Sequence, residues 1–204
     1  MSAAASALPR LRIVVVDDDP LIRRLVTEVL SRQLGHTVVG EADSGPSMVD
    51  RVLATRPDIV VMDIHLPEMN GLDALRRIQE ERIVPAVAIT GDRDGDLVAR
   101  AVQEQVMAYL VKPIDPTQLQ AALHLAWARF QEWQELAEEN ASLRQSLHER
   151  KLVERAKGLL MTRFNWSEPE AFRRLQRTAM NRRQPMAELA QDVLEGRVTK
   201  MDAL

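Results

Sequence analysis

Between Leu11 and about Leu125 the chain alternates short apolar runs with longer amphipathic stretches. The runs fall at 11–16, 37–39, 58–62, 85–89 and 107–111, each bounded by Pro, Gly or Asp. Unbroken Val/Ile-rich runs are what parallel strands buried on both faces look like, and intervening stretches of ten or more residues suit crossover helices. Five such units predict an α/β domain, a doubly wound (βα)5 sheet. Asp19-Pro20 and Asp115-Pro116 each put a capping carboxylate before a first-turn proline and mark two helix starts.

Beyond Pro116 there is no further proline before Phe164 and only one glycine, Gly158. A continuous helix over that stretch would be about 75 Å long at a 1.5 Å rise per residue, a length that suggests a coiled coil. A heptad register places Leu119, Ala126, Trp133, Asn140 and Leu147 at a, with Ala122, Arg129, Leu136, Leu143 and Arg150 at d. Asn at an a position favours a parallel dimer in one register. The same face could instead pack on the first domain, but the polar remainder of 133–139 argues against burial all round and favours a second copy.

The pattern after Lys151 reads as three short helices forming a small bundle. The first puts Leu152, Ala156, Leu159 and Leu160 on one face; the second opens on the capping box Ser167-Glu168-Pro169-Glu170 and buries Ala171, Phe172, Leu175 and Ala179; the third starts near Pro185. The expected organisation is a loose tail over 1–9, an α/β domain over 10–125, a coiled-coil helix over 117–150 continuous with that domain's last helix, a bundle over 151–197 and a tail over 198–204.

Composition narrows the chemistry. The 204 residues contain no Cys, which excludes disulfides and thiolate sites and points to a reducing, cytoplasmic setting. The four His, at 36, 65, 124 and 148, are too scattered for a zinc site, and those at 36, 124 and 148 read as surface or helix positions. No apolar run approaches the roughly 18–20 residues of a membrane span. The net charge of −3 hides a division, because Arg150–Arg183 holds ten basic residues against three acidic ones. Six of the seven aromatic residues lie from Trp127 onward. Two modules with different tasks follow.

Asp17-Asp18-Asp19 follows the first strand and Asp63 ends the third. In an open parallel sheet, residues just past the carboxyl ends of strands converge on one crevice. Carboxylates gathered there repel one another unless a hard cation sits among them, and Mg²⁺ suits such oxygen ligands. Thr90 ends the fourth strand and Lys112 the fifth, and a hydroxyl with an ammonium in that crevice is what a phosphoryl group on Asp63 would need.

Asp17-Asp18, then Val61-Met62-Asp63-Ile64-His65-Leu66-Pro67 with Gly71, then Thr90, then Tyr109-Leu110-Val111-Lys112-Pro113 resemble the receiver domains of bacterial two-component response regulators. The resemblance implies that Asp63 is the phosphoacceptor, that Asp17 or Asp18, Asp63 and the His65 carbonyl hold Mg²⁺, and that Lys112 contacts the phosphoryl group. It also implies a cis Lys112–Pro113 bond, and a switch pair, Thr90 and Tyr109, that reports to the face formed by the fourth helix, fifth strand and fifth helix of such a domain. Gly91 and Gln105 depart from the family's usual alanine and glycine.

In the basic tail, Arg173, Arg174 and Arg177 fall at i, i+1 and i+4, and Lys151 and Arg155 at i and i+4, with Lys157 and Arg163 nearby. Such clustering is the footprint of a polyanion site, and spacing alone goes no further than a basic helical bundle. The stretches 153–161, 167–172 and 175–180 resemble the ANTAR domain of transcription antiterminators. Together the two resemblances imply a regulator rather than an enzyme. A sensor histidine kinase would phosphorylate it, it would pair as a homodimer, and it would bind paired small hairpins in nascent RNA. RNA contact is assigned by resemblance to Lys157, Arg174 and Arg177, then to Arg155, Arg163 and Arg182. Ala156, Gly158, Met161, Ala171, Phe172 and Ala179 read as packing, with Gly158 allowing a close approach. A DNA-binding factor, disfavoured by the lack of a helix-turn-helix signal, and a module that docks an acidic protein are the competing readings.

Overall fold

A computed structural model describes residues 8–91 and 106–198. The chain divides into two compact units between Gln134 and Glu135. The first contains β1 (Arg12–Val16), α1 (Pro20–Glu28) with a π turn over Val29–Gln33, β2 (Thr37–Ala42), α2 (Gly45–Thr55), β3 (Ile59–Asp63), α3 (Gly71–Gln79), β4 (Ala86–Thr90), β5 (Val106–Val111) and the start of α4 (Pro116–Phe164). All strand pairs are parallel, in the order β2-β1-β3-β4-β5. The chain steps outward from β1 to β2 and then crosses to the other side for β3, which opens a crevice at the carboxyl ends of β1 and β3.

Both faces of the sheet are covered, which is why its central strands read as unbroken apolar runs. Val14, Val16, Val60 and Met62 pack against Met48 and Val52 of α2 and Leu72, Leu75 and Ile78 of α3. Ile13, Val15, Ile59, Val61, Val87 and Ile89 pack on the other side against Val26 of α1, Leu30, and Leu119, Leu123 and Ala126 of α4. Each fully buried aliphatic side chain contributes about 1.5–3 kcal/mol. The edge strand β2 runs three residues past its apolar run, through Gly40, Glu41 and Ala42, because only hydrogen bonding to β1 marks it there.

Both sequence-marked helix starts are capped as expected. Asp19 accepts from the Leu21 and Ile22 amides, and Asp115 from those of Thr117 and Gln118. A third cap, a box between Ser44 and Ser47 at the head of α2, was not among the expected starts. His36 is a correction: it is buried, and its Nδ1 accepts from the Leu11 amide at 3.3 Å. Burial, then the charge of His124, lowers its pKa and keeps the ring neutral. The fourth receiver helix and Gln105 fall in 92–105, outside the described residues.

The heptad seam divides in two. Leu119, Ala122 and Ala126 are consumed by the sheet's core, and Arg129 donates to the Met107 carbonyl at 2.9 Å. Only further along, at Leu136, Leu143 and Leu147, does the stripe stand in solvent, each residue more than half exposed. Of the heptad positions expected over 117–150, those up to Ala126 are thus taken up by the first unit's core, and the leucines at 136, 143 and 147 are left exposed.

In the second unit the end of α4 packs with α5 (Glu168–Arg182) and α6 (Met186–Leu194). Its core is Val153, Ala156, Leu160, Ala171, Leu175, Ala179, Leu189, Ala190 and Val193. The first helix expected of the bundle is thus the end of α4, with no break at 150. Its inner face is turned slightly, so that Val153 is buried and Leu159 is exposed. Gly158 faces open space, where an added Cβ would meet nothing within 4 Å, so it does not serve a close approach. Phe172 is partly exposed instead of buried. Ser167 does stand at the N-cap of α5, but the expected box does not close: the Glu170 amide donates to the Ser167 carbonyl at 3.1 Å, not to its hydroxyl, and the Glu170 carboxylate pairs with Arg174.

Candidate functional site

Asp17 directly follows β1 and Asp63 is the last residue of β3, so the pairing of these strands brings both carboxyls to one crevice. Asp17, Asp18 and Asp63 each offer an oxygen within 4.8 Å of the others, Asp17 and Asp63 buried and Asp18 exposed. Lys112, just past β5, places Nζ 2.8 Å from Asp17 Oδ2 and 2.6 Å from Asp63 Oδ2. Asp63 Oδ1 accepts from the His65 amide at 2.9 Å, and Asp17 Oδ1 from the Asp19 amide at 3.0 Å. Arg23 of α1 holds the Asp17 carbonyl at 2.6 Å, a contact that no motif announced.

Burial pushes the Asp17 carboxyl above its ordinary pKa, against the opposing hydrogen bonds from Lys112 and the Asp19 amide. Burial would also pull the Lys112 ammonium down, but hydrogen bonds to Asp17 and Asp63 and their negative charges outweigh it and hold it up. Three carboxylates against one ammonium leave a formal charge of −2 in a partly buried crevice. An all-oxygen site of that charge fits a hard divalent cation.

Thr90 is fully buried at the end of β4, and its carbonyl accepts from the Lys112 amide at 2.8 Å. Tyr109, on β5 opposite Ala88 of β4, packs against the core layer that contains Met62. The Lys112–Pro113 bond is cis. The sheet thus brings Asp17, Asp18, Asp63, Thr90 and Lys112 to its carboxyl end, while the His65 side chain stays exposed.

Gly71 fixes the floor of this crevice. Its amide donates to the Ile64 carbonyl at 2.8 Å, and a Cβ there would lie 2.4 Å from the Asp63 carbonyl oxygen. Backbone, not a flexible side chain, would have to yield. Gly71→Ala should therefore cost about 1–3 kcal/mol in urea unfolding of the α/β unit and slow the phosphoryl uptake that the resemblance implies, because the displaced peptide is that of Asp63. Unchanged stability and uptake would contradict this.

In the basic tail the structure sorts the residues. Lys157 is buried, with Nζ 2.9 Å from the Glu154 carboxylate and 2.8 Å from that of Glu168, and it lies 5.8 Å from the Phe172 ring centre. Arg174 is half-buried, 3.1 Å from Glu170 and stacked 4.4 Å from the centre of the Trp166 ring. Arg155, Arg163, Arg177 and Arg182 are exposed. Glu154–Lys157 and Glu170–Arg174, at i,i+3 and i,i+4, were readable as helix ion pairs. The bond to Glu168 was not, since it closes only once the bundle has folded.

Over residues 13–124 the chain matches the family model of the response regulator receiver domain, and over 141–194 that of the ANTAR domain. The chain belongs to the response regulator family, with an ANTAR output domain. It is 44% identical over 199 residues to the transcriptional regulatory protein PdtaR of Mycobacterium tuberculosis, spanning 98% of this chain and 96% of that one. A protein-glutamate methylesterase/protein-glutamine glutaminase of Myxococcus xanthus is 40% identical over 108 residues, 52% of this chain and 31% of that protein. Among solved structures, a LuxR-family two-component response regulator from Aurantimonas covers 64% of this chain and 98% of its own, with TM-score 0.55 and 31% identity. The receiver domain of AraT from Geobacillus stearothermophilus covers 61% and 98%, with TM-score 0.54 and 26% identity. A receiver joined to an ANTAR domain makes this response regulator a transcriptional regulator with an antitermination-type output, which RNA binding fits. No helix among its described residues is long and apolar enough to cross a membrane.

Proposed function

We propose that a sensor histidine kinase phosphorylates Asp63 and that the phosphorylated protein pairs and holds two small hairpins of a nascent transcript. In this reading it is a cytoplasmic switch and not an enzyme. The observation that carries it is the grip of Lys112 on both Asp63 and Asp17 beside a third carboxylate. In the transfer, an Asp63 oxygen attacks phosphorus, the donor's nitrogen–phosphorus bond breaks and an oxygen–phosphorus bond forms. A Mg²⁺ held by Asp17, Asp18, Asp63 and the His65 carbonyl would neutralise charge building on the phosphoryl oxygens. Lys112 stays on the product, its ammonium passing from a carboxylate to a phosphoryl oxygen. Thr90 reaches the same group by its hydroxyl, and Tyr109 carries the change to the outer face of β5.

Pairing would then join the leucine stripe at 136, 143 and 147 to that of a second copy, with Asn140 setting the register. Two bundles on one coil engage two hairpins by effective concentration, not by new contacts. Arg155, Arg163, Arg177 and Arg182 are exposed and would meet phosphate, while Lys157 and Arg174, each engaged inside the bundle, would support them.

The test is binding of a two-hairpin RNA, a single hairpin and duplex DNA, with and without acetyl phosphate, at several salt concentrations. The two-hairpin RNA should bind most tightly, and phosphorylation should tighten it. Arg177→Ala should lower the log–log salt slope by about 0.7, the value of one contact to single-stranded nucleic acid. Leu143→Asp should return the phosphorylated protein to a monomer in sedimentation and erase the preference for paired hairpins. Equal binding to duplex DNA, or an unmoved slope, contradicts the reading.

A further inference from the structure

Residues two apart on a helix do not face one another. Phe164 and Trp166 nevertheless stack, with ring centres 4.5 Å apart and planes within 18° of parallel. The cause is Asn165 between them, at φ 54°, a left-handed conformation that Asn tolerates better than most residues. Arg174 lies 4.4 Å from the Trp166 ring centre and Arg163 lies 5.6 Å from that of Phe164. Arg163, Phe164, Trp166 and Arg174 thus form one run of ring contacts at the corner between α4 and α5, with an arginine at each end.

Its two ends differ. The Trp166 end is built in, since Trp166 packs against the bundle core and Arg174 is tied to Glu170 at 3.1 Å. The other end is loose, with Phe164 37% exposed and Arg163 standing farther from its ring. We propose that the Phe164 end is a stacking site for one unpaired base of an RNA loop, with Arg163 closing over the base or its phosphate. This rests on the RNA reading above and adds to it the place where a loop base is held. Loop bases are the ones free to leave the stack, and aromatic rings and guanidinium planes are the surfaces that receive them. Arg155 and Arg177, also exposed on this bundle, favour a polyanion over an uncharged protein face.

The experiment takes the phosphorylated full chain and a stem-loop RNA selected on it from a pool with randomised loops. Phe164→Leu keeps the apolar volume but removes the flat face, and should weaken binding about tenfold. The salt slope should not move, since no phosphate contact is lost. Phe164→Trp should retain affinity. An abasic nucleotide at one loop position should weaken the parent but not Phe164→Leu, and 2-aminopurine at that position should be quenched when the parent binds. Parental affinity in Phe164→Leu, equal abasic losses in both proteins at every position, or no quenched loop position overturns the stacking site. A pool that returns no RNA at all overturns the RNA reading, and the stacking site with it.

Discussion

Asp63→Asn is expected to abolish labelling by acetyl phosphate and Mg²⁺, read as incorporated phosphate by intact mass. The side chain keeps its shape, so the loss is chemical. Asp63 now accepts on both oxygens, from the His65 amide at 2.9 Å and from Lys112 at 2.6 Å. An amide has one acceptor and one donor end, so either Lys112 or the His65 amide must face a donor. The crevice charge falls from −2 to −1, which weakens a divalent cation, and no carboxylate remains at the end of β3 to attack phosphorus. Asp17→Asn separates these effects. It removes the same charge but leaves Asp63 in place, so its labelling should fall and be restored by more Mg²⁺. Labelling of Asp63→Asn at the parental rate would place the phosphoacceptor elsewhere.

Lys157→Glu is expected to melt the helical bundle while the receiver stays folded, lowering the bundle's transition by about 10 °C or more in circular dichroism. The variant sets a third carboxylate against Glu154 and Glu168 in a buried position that now holds their shared cation. Lys157→Met should be much milder, because both glutamates are largely exposed and can return to water. Hydrogen exchange should rise over α5 and α6 in the glutamate variant and remain slow in the receiver strands. If Lys157 were instead a surface RNA contact, both variants would lose RNA with the bundle's melting unchanged.

The same ion pairs set a pH dependence. Hydrogen bonds donated to Glu168 and then to Glu154 hold the Lys157 pKa above 10.5, so this contribution is complete at neutral pH and is lost as pH climbs through the raised value. The hydrogen bond from Lys157 lowers Glu168 from 4.5, so its contribution is complete above that value and is lost as pH falls through the lowered one. Between those limits the pairs are fully formed, and the bundle's melting should be insensitive to them.

The receiver crevice was legible because strand ends are legible. Buried parallel strands announce themselves as apolar runs, and whatever polar residue ends each run must lie at the crevice, so Asp63, Thr90 and Lys112 could be placed from the pattern alone. The tail was not legible in the same way. A count of arginines and lysines finds an electrostatic surplus but cannot see that Lys157 turns inward to Glu168, eleven residues along. Nor could periodicity separate Leu119 and Ala126, which the sheet consumes, from Leu143, which it leaves in water, because both satisfy the same heptad. Gly71 was marked only as part of a resemblance, since the reason for it lies in a carbonyl eight residues earlier that the fold brings against it.

The receiver's two core layers and the bundle's core share no residue. A crossover in the coding sequence near the Gln134–Glu135 division would therefore sever no packed layer. Each half is in that sense portable: a receiver can be inherited by a new output, or an output by a new receiver, without either having to be repacked. The methylesterase relative shares 108 aligned residues with this chain, 52% of its length, and the rest of each protein differs in extent. The division falls inside α4, which runs unbroken from Pro116 to Phe164, so an exchange there would have to keep one helix continuous and nothing else.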